Sequence, residues 1–517
     1  MFIKSFQMAR SFIASCHFFL VFFCIFALNS SLFSSTLNLS ISSNPSRINP
    51  ILATDSASST ISEHIFSGLF KYDKNGKVIC DMAKSYELTT PTRLKIKLKE
   101  NIFWHDGVKF SADDVIFTFN TIKNPAIFTP LTSDFEKVKE VKKINNLELE
   151  IIYKEPYFKA LHIWMVGILP HHILKNEKDL MTSKFNKNPI GTGIYKLDTF
   201  IPSQDIILKA NPKYYDGKAK IKTIRYKFIP DSATSFAMLN GKKLDVDGLT
   251  PLQIDRQLKP DFHHNFDIYE NQSFSYTYLG FNLKDTKWQN KKLRVAIDLA
   301  LNKKEMVDIL FFSHGKVCTG PFLPKSIAFN EKVKGNSLDI QKSKKLLKEL
   351  GYDEKNRFSF TVYTNGNNET RLNTALIMQH QLKMVNIDMK IKVLEWQAFL
   401  NTIVLPKKFD AILLGWGLGL MPDARSIWHS KSDTKGGFNL VGYSNKKVDV
   451  AIELAEKTTD EKQFSAIYQE IFYQITNDLP YIFLYIPNSI TAVSKNIHNV
   501  SDSFIGISHN QKEWIKE

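Results

Sequence analysis

The stretch Trp104-His105-Asp106-Gly107-Val108-Lys109-Phe110-Ser111-Ala112-Asp113-Asp114-Val115 holds a turn and a helix start side by side. Trp104 to Gly107 reads as a polar turn closed by glycine. Ser111 then stands at an N-cap position with an acid, Asp114, at the third helical position, so serine and carboxylate can each satisfy a free backbone amide of the other's residue. Val115, Ile116 and Phe119 supply the apolar face that follows. Outward from this point, helix-like and strand-like segments alternate without a fixed internal repeat. Leu293, Ala296, Ile297, Ala300 and Leu301 fall at helical spacing. Asp339 caps a helix running to Leu350, with Gly351 suited to its left-handed stop. Phe274, Tyr276 and Tyr278 alternate with Ser275 and Thr277 as in a strand, and Ile482 to Ile486 reads as a short apolar strand ending at Pro487. The class is α/β, in the sense of a mixed α+β chain.

Composition sets the bounds. The chain has 517 residues, 43% hydrophobic and 23% charged, which excludes a disordered protein and allows two to four domains or one large discontinuous unit. The net charge of +16 invites a nucleic-acid reading, but the basic residues are spread along the chain, so a lysine-rich solvated surface is the reading adopted and no nucleic-acid partner is expected.

The N-terminus points to export. Lys4 and Arg10 precede an apolar run from Phe12 to Leu28, followed by small polar residues from Asn29 to Thr36, the layout of a secretory signal. The run is close to the shortest that spans a bilayer, so retention as an anchor is the alternative. Ile13-Ala14-Ser15-Cys16 matches a lipoprotein site superficially, but too few residues separate it from Arg10 for an apolar region, and lipidation is discounted. With Cys16 and Cys24 in this segment, Cys80 and Cys318 remain. Their spacing suits neither zinc nor a redox pair, and a single disulfide and two unlinked thiols stay open.

A search for chemistry yields no HExxH, no GxSxG, no phosphate loop and no GxGxxG opening a helix. The pairs His171-His172 and His263-His264 are sequence neighbours, which do not face one another on a helix or strand. No catalytic residue, metal ligand or cofactor is assigned.

The ordered motifs resemble the extracytoplasmic solute-binding proteins of peptide, dipeptide and nickel ABC importers (family 5, oligopeptide-binding type), over nearly the whole chain after the export segment. Asn44 to Pro50 resembles the family's opening strand and turn, and Ile65 to Asp73 its "i-y-e-g-L-v-x-y-d" stretch. Trp104-His105-Asp106-Gly107 with Phe110 to Val115 matches aromatic-h-D-G then f-t-A-x-D-V. Asn188 to Tyr195 matches "P-x-G-T-G-P-Y", and Asn211 to Tyr215 "N-p-x-Y-w". Leu293 to Asn302 resembles "v-R-q-A-l-x-y-A-i-d", and Gly415-Trp416 with Tyr443-Ser444-Asn445 the late "G-W … Y-s-N".

The resemblance implies a two-lobed periplasmic-binding-protein fold with discontinuous lobes joined by two crossing strands, expected near Glu270–Phe281 and Tyr481–Asn488. Residues 1–36 are then signal or anchor, 37–272 the first lobe with an inserted subdomain at about 63–186, 273–488 the second lobe, and 489–517 the return to the first. It implies a non-enzymatic, monomeric periplasmic protein that closes on a short peptide and delivers it to an inner-membrane ABC permease. The aspartate that holds the peptide ammonium in dipeptide-binding relatives is here Gly419, and Tyr363, Thr364 or Asn365 stands where they carry a carboxylate-binding arginine. Peptides longer than two residues are therefore the leading ligand, with a nickel or other metal chelate as the same-family alternative and an exported hydrolase as the alternative of another class. For the chelate, Trp416-Gly417 fits the W-G-x-P of the nickel branch, and His429 lies near its histidine position. The ligand-binding residues expected are Trp416, Tyr278, Phe438, Asn439, Trp396, Asp423 and Arg425.

Overall fold

The computed structural model describes residues 36–366, 368–434 and 437–517. The export segment, with the question of cleavage or retention, lies outside the described residues except for Thr36. Among the described residues no helix is long and apolar enough to cross a membrane.

One strand, Tyr481–Ser494, organises the chain, running through both halves of a 12-stranded mixed sheet. Its first part pairs antiparallel with Ser275–Phe281, and its second part, from Asn488 onward, with Phe266–Gln272 and Val246–Leu249. Beyond Ser275–Phe281 the sheet continues through Ala411–Gly417, Phe358–Asn365 and Ile387–Leu394. Beyond Val246–Leu249 it continues through Thr36–Ile41, Thr223–Phe228, Asp205–Ala210 and Tyr195–Ile201. The chain thus passes between two lobes at Ser273-Phe274 and again at Pro487-Asn488. The expectation that the apolar strand stops at Pro487 is corrected. Proline lacks only the N–H, and it falls where the strand changes partners, while its carbonyl still accepts from the Ser273 amide at 3.1 Å.

The first lobe carries an added four-stranded antiparallel sheet in the order Ala83–Thr90, Arg93–Leu98, Glu148–Tyr153, Val138–Asn145, with the helix Ala112–Lys123 beside it. This helix has the capping box read from the sequence: the Asp113 amide donates to Ser111 Oγ at 3.3 Å and the Ser111 amide to Asp114 Oδ2 at 2.9 Å. The added layer shares one apolar core with the rest of the lobe. In the second lobe, period-two alternation sends Tyr276 and Tyr278 into one core and Leu279 and Phe281 into another on the opposite face. The helices Lys291–Leu299 and Ile340–Glu349 form as expected, the latter capped by Asp339 and stopped before Gly351 at φ +87°. Cys80 and Cys318 are both free thiols, which closes the disulfide alternative, and burial pushes Cys318 up to about 12.

Two motifs far apart in sequence turn out to be one structural joint. The His105 amide donates to the Gly191 carbonyl at 2.9 Å, the Gly191 amide donates to His105 Nδ1 at 3.2 Å, and Nε2 lies 3.0 Å from the Gly193 carbonyl. A Cβ on Gly191 would stand 1.9 Å from the Ile65 carbonyl oxygen and one on Gly193 2.3 Å from that of His64, so only glycine fits at either place.

The ring of His105 works in its neutral form: burial pushes it down to about 4, as it does His64 and His162. An unfolded histidine titrates near about 6.5, so between that pH and about 4 the unfolded chain takes up protons that the native one refuses. Stability is therefore full above about pH 6.5 and lost progressively toward about pH 4. Urea midpoints should fall across this window, and more shallowly in His105→Gln. A midpoint independent of pH there would contradict the assignment.

Candidate functional site

Where the lobes face one another the structure holds two adjoining cavities. The one at the crossing, about 120 Å³, is lined by Phe274, by Phe504 of the C-terminal return and by second-lobe residues including Phe322, Leu418, Met421 and Ile427. Pro422, Asp423 and Ser426 line both it and a cavity of about 540 Å³ between the added layer of the first lobe and the second lobe. A third cavity, of about 590 Å³, is built by first-lobe residues alone, among them Glu63, Lys71, Asp81, Tyr214 and, from the C-terminal return, Ile505. Glu63 is exposed in its wall, and among the described residues no cation pairs with it. A separate cavity of about 220 Å³, beside the buried Lys303–Asp298 pair, is built by second-lobe residues alone.

Trp416, the penultimate residue of the strand Ala411–Gly417, is half-buried, with its ring parallel to Tyr278 at 6.4 Å and edge-on to Phe438 at 5.9 Å. Phe438 is 54% exposed, so these two rings form an accessible aromatic surface. Tyr278 lies elsewhere than at a ligand-contacting surface: it is fully buried and stacked on Tyr481 at 3.8 Å, a core support beneath Trp416. Asn439 is also fully buried, its amide donating to the carbonyls of His429 and Tyr443 and accepting from the Tyr443 amide, so it shapes the loop instead of presenting an exposed amide. Trp396 begins a short helical turn and packs on Phe399. His429 is buried, accepting from the Lys431 amide at Nδ1, with Nε2 3.3 Å from Glu453. Among the described residues no group of three or more histidine, cysteine or acidic side chains is placed to hold a metal ion.

Asp423 and Arg425 are occupied by the protein itself. Lys159 of the added layer reaches across to Asp423 Oδ2 at 2.9 Å and also lies 3.3 Å from Asp134. Burial alone would raise the Asp423 carboxyl, but the Lys159 ammonium together with the Arg425 and Ser426 backbone amides outweighs it and holds the group below its ordinary value. Arg425 forks onto Glu456, with Nη2 2.6 Å from Oε2, and Lys137 from the first lobe approaches Glu456 at 3.9 Å. Lys457 reaches Glu155 at 3.3 Å, and Phe158 stacks on Phe464 at 3.6 Å. Together these form a polar clasp between the lobes around the 540 Å³ cavity.

Sequence reading missed Arg371. It stands in the first turn of the helix Glu369–Lys383, where a cation opposes the helix dipole, and that misplacement was the available signal. Its Nη1 donates to Asn365 at 2.9 Å, and Nη2 lies 3.2 Å from where a Cβ on Gly415 would stand. Burial lowers its affinity for the proton, and among the described residues no carboxylate lies against it.

Comparison with known proteins gives these features a context. The model of bacterial extracellular solute-binding proteins, family 5 Middle, matches residues 77–438. The oligopeptide-binding protein AppA of Bacillus subtilis is 32% identical over 472 residues, 88% of this chain and 86% of that protein. Its structure in complex with a nonapeptide superposes with a TM-score of 0.80 at 30% identity, covering 93% of this chain and 99% of that one. NikZ of Campylobacter jejuni in complex with Ni(L-His) also superposes with a TM-score of 0.80, at 29% identity, covering 93% and 100% of the two chains.

The clasp is solvent-accessible in part, so it should hold the lobes together only weakly, by about 1 kcal/mol or a fivefold ratio of populations. Spin labels at Phe128, 81% exposed in the added layer, and Val450, 56% exposed in the second lobe, report the separation in a Cys80→Ser background. Lys159→Met should lengthen and broaden that distance, as should high salt in the unaltered clasp. An unchanged distance distribution in both cases would show that the clasp carries no closing force.

Proposed function

The chain belongs to the bacterial extracellular solute-binding proteins of family 5, and from that premise we propose that it captures peptides longer than two residues and delivers them to the permease of an ABC importer. The observation that carries this reading is the pair of adjoining cavities at the lobe junction, about 120 and 540 Å³, which offers more room than a dipeptide needs and ends in a polar surface suited to main-chain and terminal groups. The oligopeptide-binding AppA comparison supports it.

In this reading the lobes comprise 37–272 with 489–517, and 273–488, and they rotate about the crossings at Ser273-Phe274 and Pro487-Asn488. Trp416 and Phe438 form an aromatic plate that tolerates different side chains, because a ring face offers apolar area without a fixed hydrogen-bond pattern. Arg371, whose charge is partly buried with no carboxylate against it, is available to a ligand carboxylate, and the exposed Glu63 to an ammonium. Closure removes water and strengthens those contacts, and the closed shape is what a permease recognises. The protein is exported to the periplasm, acts as a monomer and leaves its cargo chemically unchanged.

The second reading is capture of a metal chelate, favoured by the likeness to NikZ with Ni(L-His). Its histidine candidate, His429, is 1% exposed and already bonded on both ring nitrogens, which argues for peptide over chelate.

Native mass spectrometry of gently purified protein should show peptides of three or more residues bound, intact after prolonged incubation, and Trp416→Ala should weaken their binding at least tenfold. A small adduct that forms only with added nickel and histidine would replace the peptide reading, and steady cleavage of a peptide mixture would end the binding-protein reading altogether.

A further inference from the structure

The cavity at the crossing differs in character from its neighbours. The adjoining 540 Å³ space is ringed by charges that include Asp134, Lys137, Lys159, Glu453 and Glu456. The crossing cavity has Asp423 at its border with that space but is otherwise walled mainly by Phe274, Phe322, Leu418, Met421, Ile427 and Phe504. Three parts of the molecule meet there: the crossing through Phe274, the C-terminal return through Phe504, and the second lobe through the rest. Phe274 packs edge-on against Phe504 at 5.5 Å, and the Leu418 amide donates to the Phe274 carbonyl at 2.7 Å, fixing the loop to the crossing. Lys325 covers the outer side of the Phe504 ring at 5.9 Å.

Size narrows the occupant. An apolar cavity of about 150 Å³ stays dry and admits benzene. At about 120 Å³, with mostly apolar walls, the crossing cavity suits one aliphatic side chain and is too small for an indole. We infer that it is a side-chain socket, in which a bound peptide seats one residue of valine, leucine or methionine size while residues on one side of it lie in the adjoining polar cavity. This rests on the peptide-capture reading. Because its walls come from both lobes and the crossing, the socket is complete only when the lobes meet, so an aliphatic side chain favours closure. A charged side chain would lose its hydration at apolar walls and select against itself.

Isothermal titration of the exported chain with pentapeptides of alanine, in which each position in turn carries Gly, Val, Leu, Trp or Asp, tests the inference. At one position Leu or Val should bind at least tenfold more tightly than Gly, Trp or Asp, the scale expected for filling an apolar pocket. Phe504→Ala, at the half-buried rim, enlarges the socket and should shift the preference at that same position toward Trp at least tenfold, and Met421→Ala supplies an independent enlargement. Binding of the series with no positional preference, or a preference that both enlargements leave unchanged, would overturn the socket while leaving peptide capture intact. Failure of every pentapeptide to bind would overturn the peptide reading and the socket with it.

Discussion

The structure depends on one continuous backbone ladder. Tyr481–Ser494 hydrogen-bonds into the sheet of the second lobe at one end and that of the first lobe at the other, and with the passage at Ser273-Phe274 it ties two separately cored bodies together. Antiparallel pairing fixes register firmly within each lobe, where one slipped residue would turn apolar side chains outward. At Pro487 the strand changes partners, and a residue without an amide hydrogen is tolerated there at little cost. The stiffest connection is thus interrupted at the place where rotation is needed.

The same contrast appears in the energetics. Each lobe is held by extensive apolar burial, as around Trp288 and Trp428 in the second lobe and Trp104 and Trp164 in the first. The seam is held by ion pairs such as Lys159–Asp423 and by a few rings such as Phe158 on Phe464. Partly exposed pairs contribute little net free energy, because Coulomb attraction, desolvation and side-chain ordering nearly cancel. Strong lobes with a weak seam allow the lobes to part without unfolding, and a ligand with even modest differential affinity shifts that balance.

What was legible in the sequence was local. The Ser111 and Asp114 capping box, the Asp339 cap and the alternation from Phe274 to Tyr278 are written within a few residues, and the fold shows them. The order of motifs led to the two-lobed architecture. The side chains around the ligand space were much less legible. Tyr278 carries the same pattern whether it faces cleft or core, and only the Tyr481 ring packed on it decides the matter. Asp423 and Arg425 looked available because their partners, Lys159 and Glu456, are remote in sequence, the former by 264 residues. Arg371 and the socket around Phe504 are products of packing between distant segments, which no local pattern records.

The central claim is that the two lobes close on a peptide and open without it. Small-angle X-ray scattering of the protein stripped of cargo and then saturated with its co-purified peptides tests this most directly. The radius of gyration should shrink on loading, and the distance distribution should change from a double to a single maximum. Identical profiles before and after loading, with peptide demonstrably bound, would contradict the account.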